Sequence, residues 1–305
     1  MRNAFARELT ELVSARSDLV LLSGDIGNRL FDDFKSVAPD RFFNCGVAEA
    51  NMMSVAAGMA LSGLRPIVYT ITPFTTVRVL EQLRIGVCYH EAPVIVVGTG
   101  SGLSYAELGP THHSLEDMAI TRCLPGIAVA APADGRELVH QLHQALDRSG
   151  PTYMRIGKKG EPVLSQEGTP AGIGSARSLR RGDDVALLCV GPITGEALAA
   201  ADAIGEGGAR VEVVSMGSVK PLDEEFLDRL AGRCRRWITV EEHGIIGGLG
   251  SAVIEWRAAS GRDIDVRRLA VPDAFIHELG DQAFTRSAVG LDASSIRAAV
   301  EEAVT

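Results

Sequence analysis

Glu49 is the one charged residue between Arg41 and Arg65, in the run FFNCGVAEANMMSVAAGMALSGL. A carboxylate in such company costs several kcal/mol unless a partner meets it or its proton affinity rises. The run holds no lysine or arginine, so a covered Glu49 would keep a proton nearer neutrality, as a general acid/base does. A first-turn acid favoured by the helix dipole is the plainer reading. The charge-free surroundings weigh against it, since a surface helix would carry more than one charge; both faces of this helix are expected to be covered.

A second constellation is AELGPTHHSLEDM, residues 106–118. Ser114 and Asp117 have the spacing of a capping box, which would place His112 and His113 just before a helix N-terminus. The positive end of a helix disfavours imidazolium and leaves neutral rings able to meet a ligand. Two solvent histidines in a loop is the other reading, and both stand. A metal centre is disfavoured, because adjacent histidines point apart and no third ligand has suitable spacing. GTGSGLS at 98–104 lacks the GxGxxG spacing and the following helix of a dinucleotide loop. GIIGGLGSA at 244–252 either offers backbone N–H groups at a helix start or packs closely on a neighbour.

Elements able to hold such groups alternate along the chain. Apolar runs predict strands over 19–23, 67–70, 94–98, 127–131 and 152–156. None alternates strictly, as in a parallel sheet covered on both faces. A helix is expected over about 48–62, and the N-terminal MRNAFARELTEL has an amphipathic helix pattern. Asp134 caps another helix, with Glu137 closing a capping box and Gly150-Pro151 ending it. The stretch 161–182 is rich in Gly, Pro, Ser and charge and reads as a connection. Strands then recur at 185–190, 211–215, 237–240 and 264–269. Helices are expected over 196–204, 224–230 and 251–258, and a last one capped by Asp292. The expectation is an α/β protein of two tandem three-layer α/β/α domains with mainly parallel sheets, 1–160 and 183–305.

The chain has 305 residues and a formal net charge of −9. That balance argues against nucleic acid and membrane surfaces as partners. The cysteines, Cys45, Cys88, Cys123, Cys189 and Cys234, form no CxxC pair, which fits a reducing cytoplasm rather than a disulfide framework. No signal-peptide pattern opens the chain, and no charge-free stretch is long enough to span a bilayer.

Taken in order, FFNCGVAEANMMSVAAGMALSG, ELGPTHHSLED, PADGRELVHQLHQAL and TVEEHGIIGGLGSAV resemble the C-terminal half of the transketolase family of thiamine diphosphate enzymes. The resemblance covers nearly the whole chain. It implies a pyrimidine-binding domain followed by the family's C-terminal domain. It assigns Glu49 to the cofactor's aminopyrimidine ring, where the carboxyl must hold or share a proton, and an acid buried without a cationic partner suits that role. Phe74 in TITPFTT matches the aromatic that stacks on the ring. Asp25 and Ile26 in SGDIGN, with Val47, fall where the family lines the cofactor cleft. His112 matches a histidine near the donor's hydroxyls. Lys158 and Arg2 fall near phosphate-binding positions, although lysine lacks arginine's bidentate fork.

Departures from the family pattern bear on substrate and assembly. Val77 and Leu80 stand where aromatics surround the pyrimidine. Leu108 replaces an acidic partner for a sugar hydroxyl, and Gly100 lies where a histidine is expected. Lost hydroxyl partners change substrate choice strongly, so the usual phosphorylated pentoses are put in doubt. The GDG…N motif that holds diphosphate and Mg²⁺ is missing from the sequence. The resemblance therefore implies a second, N-terminal transketolase-like subunit carrying that motif, in an α2β2 heterotetramer that transfers a two-carbon ketol unit between small molecules. A β subunit of a 2-oxo acid dehydrogenase, a specialised acyl- or ketol-transferring relative, and a non-catalytic homologue are the alternatives. GPTHH and VAEAN favour transketolase over the dehydrogenase, and retention of Glu49, Phe74 and His112 argues against a scaffold.

Overall fold

The computed structural model describes every residue except Asn28, 165–167, 206–207 and Leu279. Its strands are β1 (Leu19–Ser23), β2 (Phe42–Asn44), β3 (Arg65–Ile71), β4 (Ile95–Thr99), β5 (Ala128–Ala130) and β6 (Thr152–Ile156), then β7 (Arg177–Arg180), β8 (Val185–Val190), β9 (Val211–Ser215), β10 (Ser218–Lys220), β11 (Arg236–Gly244) and β12 (Asp265–Val271). They form two sheets, ordered β10-β5-β6-β4-β3-β1-β2 and β12-β11-β8-β9-β7. Pairing is parallel throughout, except for β10 against β5 and β7 against β9.

The helices are α1 (Arg2–Ala15), α2 (Asp32–Val37), α3 (Glu49–Leu61), α4 (Thr72–Thr75), α5 (Asp117–Cys123), α6 (Gly135–Asp147), α7 (Thr194–Ile204), α8 (Glu224–Ala231), α9 (Leu249–Ser260), α10 (Gln282–Ala288) and α11 (Ala293–Val304). Successive strand residues point to opposite faces, and the cores divide accordingly. Leu19 and Leu21 pack with α1, α2 and α6, whereas Val20 and Leu22 pack with α3 and the π-helical segment Gln82–Tyr89. In the second sheet Val185, Leu187 and Cys189 meet α7 and α11, while Ala186, Leu188 and Val190 meet α8 and α9. One core runs without a break between the sheets, joining α3 and α5 to α8 and α9.

The strands 19–23, 152–156, 185–190 and 211–215 match the expected bounds, because each is a short, mostly apolar run buried on both faces. Three short strands escape that criterion. β2 is partly exposed, β7 carries two arginines inside the supposed connection, and β10 crosses from the second half of the chain to edge the first sheet. Asp134 caps α6 as expected, accepting from the N–H groups of Arg136 and Glu137. Glu137 instead reaches the Ala133 N–H and the Ser215 hydroxyl. α6 ends at Asp147, with Arg148 as its extended C-cap, ahead of Gly150-Pro151.

α3 departs from expectation in exposure. Met52, Met53, Ala56, Ala57 and Ala60 are buried, but Asn51, Ser54, Val55, Gly58 and Leu61 face solvent. The face is uncharged yet uncovered in this chain. Among the described residues no helix is long and apolar enough to cross a membrane.

Candidate active site

Strands β6, β4, β3, β1 and β2 are neighbours and parallel, so their C-terminal ends share one edge. Ligands of open parallel sheets bind at such an edge. The segments leaving it carry Lys158, then Tyr105 and His112, then Phe74 on α4, then Asp25 and Ile26, and finally Val47 and Glu49. Side-chain contacts link most of them into one row. The Arg78 guanidinium donates to Glu49 Oε2 at 2.9 Å and lies 3.8 Å from the centre of the Phe74 ring. Phe74 meets His112 edge-on at 5.4 Å between centroids, and His112 meets Tyr105 at 6.1 Å. The Lys158 ammonium sits 4.3 Å over Tyr105 and pairs with Glu107 at 2.8 Å.

Glu49 is 5% exposed at the first position of α3, where the helix dipole favours a carboxylate. Its ion pair with Arg78 corrects the expectation of a lone acid. The partner comes not from its own run but from the turn after α4, which the β1–β3 pairing brings alongside. Val47 stands out at 82% exposure just before it. Asp25, exposed, accepts from the Asn44 amide at 3.1 Å, and its backbone N–H bonds the Gly46 carbonyl. Ile26 is half-buried against the aromatic core behind β1.

His112 does not adjoin a helix start, since α5 begins only at Asp117. Burial, then the charges of Arg78 and His113, hold its pKa below the ordinary histidine value and favour the neutral ring. The Thr111 hydroxyl lies 2.9 Å from Nδ1 and fixes the ring's setting. His113 turns inward, 5% exposed, with Nε2 facing the Ala106 carbonyl at 3.4 Å. Leu108 is half exposed at the end of a turn over Ala106–Leu108. Gly100 has φ +79°, and a Cβ there would come within 2.0 Å of the Tyr105 ring. The ring fills the space in which a side chain at 100 would have to sit. Arg2 stays outside the row; its charge acts on the buried Tyr69 hydroxyl.

The expected Ser114–Asp117 capping box is absent. Asp117 Oδ2 accepts from Tyr153 Oη at 2.6 Å and from Arg155 Nε at 2.8 Å. Arg155 also donates to the carbonyls of Ser114 and Glu242. Burial works against the charge on Arg155, and Asp117, Tyr153 and Glu242 outweigh it. Groups of both glycine loops are engaged within the chain. Gly102, at φ +59°, packs so closely on Glu242 that a Cβ would lie 2.5 Å from its carbonyl oxygen, and Leu103 N–H donates to the Glu242 carboxylate. The N–H groups of Leu249 and Gly250 are taken by Glu241 at 2.7 and 2.8 Å.

Sequence reasoning missed Arg78, Tyr105, Thr111 and the Asp117–Arg155 pair. A usable signal existed for Arg78, an arginine four residues after the candidate stacking aromatic and so within reach of its ring for a cation–π contact.

Family models cover most of the chain: "Transketolase, pyrimidine binding domain" over residues 1–161 and "Transketolase, C-terminal domain" over 174–296. An apulose-4-phosphate transketolase subunit of Phocaeicola vulgatus is 33% identical over 97% of this chain and 94% of its own length. The 1-deoxy-D-xylulose-5-phosphate synthase 1 of Geobacter sulfurreducens is 38% identical over 88% of this chain, which spans only 42% of that longer enzyme. A solved split-gene transketolase, described as an inactive beta4 tetramer, superposes with a TM-score of 0.89 at 34% identity, covering 99% of this chain and 97% of that one. With both domains matched in order and the candidate acid at the edge of the first sheet, the chain belongs to the transketolase family and corresponds to its C-terminal, pyrimidine-binding section.

Proposed function

We propose that this chain is the C-terminal subunit of a two-component, thiamine diphosphate-dependent transketolase that moves a two-carbon ketol unit from a ketose donor to an aldehyde acceptor. The observation that carries the reading is the cradle made by Glu49 and Phe74. A flat cationic group, the Arg78 guanidinium, already rests on the ring and bonds the carboxylate, so an aminopyrimidine fits the same two surfaces. When bound, thiamine diphosphate supplies carbanion chemistry that side chains lack. Glu49 would hold the ring nitrogen and its proton, Phe74 the ring face, and Asp25, Ile26 and Val47 the adjoining wall. His112, neutral, would meet the donor's hydroxyls, with Lys158 at the far end of the row.

Diphosphate and Mg²⁺ fall to a partner subunit carrying GDG…N, in an α2β2 assembly in the cytoplasm. Support comes from the apolar side chains of Val47, Val55, Leu61, Val77, Leu80 and Ile85, all at least one-third exposed on α3, just before it, or on the segment that follows α4. Patches of this kind mark interaction surfaces. The cofactor-facing unit is 1–160 and the second unit 183–305. The test is to co-express the chain with a GDG-bearing subunit and assay ketol transfer with thiamine diphosphate and Mg²⁺. Activity only in the mixture is expected. Turnover by this chain alone, with cofactor and metal, would overturn the split-site reading.

A further inference from the structure

We propose that Arg78 is a placeholder for the cofactor, its guanidinium occupying the aminopyrimidine position in the unloaded chain and leaving when the cofactor enters. The inference rests on the functional reading above and adds a step to it. Both contacts of the guanidinium are ones the ring would need: 3.8 Å to the Phe74 centroid and 2.9 Å from Nη1 to Glu49 Oε2. A guanidinium and an aminopyrimidine protonated at the ring nitrogen are alike in shape and charge. Each is flat and cationic and directs N–H groups from its edge, a form suited to a carboxylate. The Phe74 face that the guanidinium covers cannot carry both flat groups together.

The arrangement also accounts for how the unloaded chain tolerates Glu49. With 5% of its surface exposed, the carboxylate without a partner would cost several kcal/mol. Arg78 removes that penalty while remaining removable, because 47% of its side chain is exposed. A long side chain at the rim can return to water with little desolvation to reverse. A fully buried partner such as Arg155, 1% exposed, could not leave in this way. The closed pair lowers apparent cofactor affinity in proportion to its population. Its departure also takes a positive charge away from His112, which Arg78 helps keep neutral.

The test uses the complete two-subunit complex with wild-type chain, Arg78→Met and Arg78→Lys, titrated with thiamine diphosphate in the presence of Mg²⁺ by calorimetry. Stopped-flow fluorescence follows the rate of entry. Methionine keeps an apolar cover on Phe74 but cannot pair with Glu49. Arg78→Met is expected to bind the cofactor about tenfold more tightly and to load faster, with Arg78→Lys between it and wild type. The cofactor-free Arg78→Met complex should melt at a lower temperature than wild type, and the difference should vanish at saturating cofactor. Equal or weaker binding by Arg78→Met would show a lasting ligand or a bystander and overturn the placeholder alone. A wild-type complex that binds no thiamine diphosphate would instead overturn the functional reading on which it stands.

Discussion

Glu49 and Asp117 are both buried acids facing an arginine, 5% and 1% exposed, yet the two pairs are built for opposite ends. Around Asp117 the environment is closed. Arg155 is equally buried, Tyr153 shares the same carboxylate oxygen, and Nη2 of the guanidinium donates to carbonyls on either side of the domain junction. Burial, then the negative charge of Asp117, holds the Tyr153 phenol well above its ordinary pKa, so it stays a donor. Around Glu49 the environment is half made. Its arginine lies at the surface against a ring face, and the neighbouring Val47 is bare. A buried ion pair bonded to both sides of a junction ties elements together. One whose arginine can leave marks a site.

The contrast is broken most sharply by exchanging acid for amide at each position. Glu49→Gln in the complete enzyme should lower turnover by about 10²–10⁴-fold, the range for a lost general acid/base. Its midpoint of urea unfolding should stay close to wild type, because Arg78 can turn to water. Asp117→Asn should do the reverse and destabilise the chain by about 3–5 kcal/mol, since Arg155 is left charged and buried. Turnover per folded molecule should remain near wild type. Were Glu49→Gln the unstable variant and Asp117→Asn the inactive one, the roles of the two acids would be exchanged.

A third buried acid sharpens the distinction. Burial pushes the Glu137 carboxyl up to about 7, against stabilising bonds from Ala133 and Ser215. The folded pKa lies above the ordinary value of 4.5, so ionisation is opposed in the fold. Its contribution to stability is full below about pH 4.5, declines as pH rises towards about 7, and is level above that. Denaturant titrations should show this decline, at most about 3 kcal/mol, and Glu137→Gln should flatten it. An unchanged slope in the variant would assign the decline to other groups.

How much of this was legible in the sequence follows from where the signals lie. α3 begins and ends within one residue of its expected bounds, because the pattern of methionine, alanine and glycine is local. The two-sheet organisation is equally local, being written in apolar runs such as VALLCV. Arg78 was not, because its meeting with Glu49 depends on β1 and β3 pairing across intervening chain. The capping-box spacing of Ser114 and Asp117 misleads for the same reason, since Asp117's real partners, Tyr153 and Arg155, lie on β6. GTGSGLS lacks a dinucleotide-loop spacing, and its glycines are explained only by distant neighbours, Gly100 by the Tyr105 ring and Gly102 by Glu242. β10 pairs with a strand almost ninety residues earlier, and three residues carry no periodicity to announce it.

Leu108 gives the smallest and most specific test, because it lies on the open side of the comparison. It is half exposed, next to Glu107, which already neutralises Lys158 at 2.8 Å. Leu108→Asp places a carboxylate where a sugar hydroxyl could donate to it, and sets a second negative charge beside the cation that would meet a phosphate. The two effects act in opposite directions on two kinds of donor. The kcat/KM ratio for an unphosphorylated ketose over its phosphate ester should rise about tenfold, or about 1.4 kcal/mol. Stability should be unchanged, since the turn is at the surface. A ratio that stays constant would place the donor beyond reach of residue 108 and confine recognition to the row from Glu49 to His112.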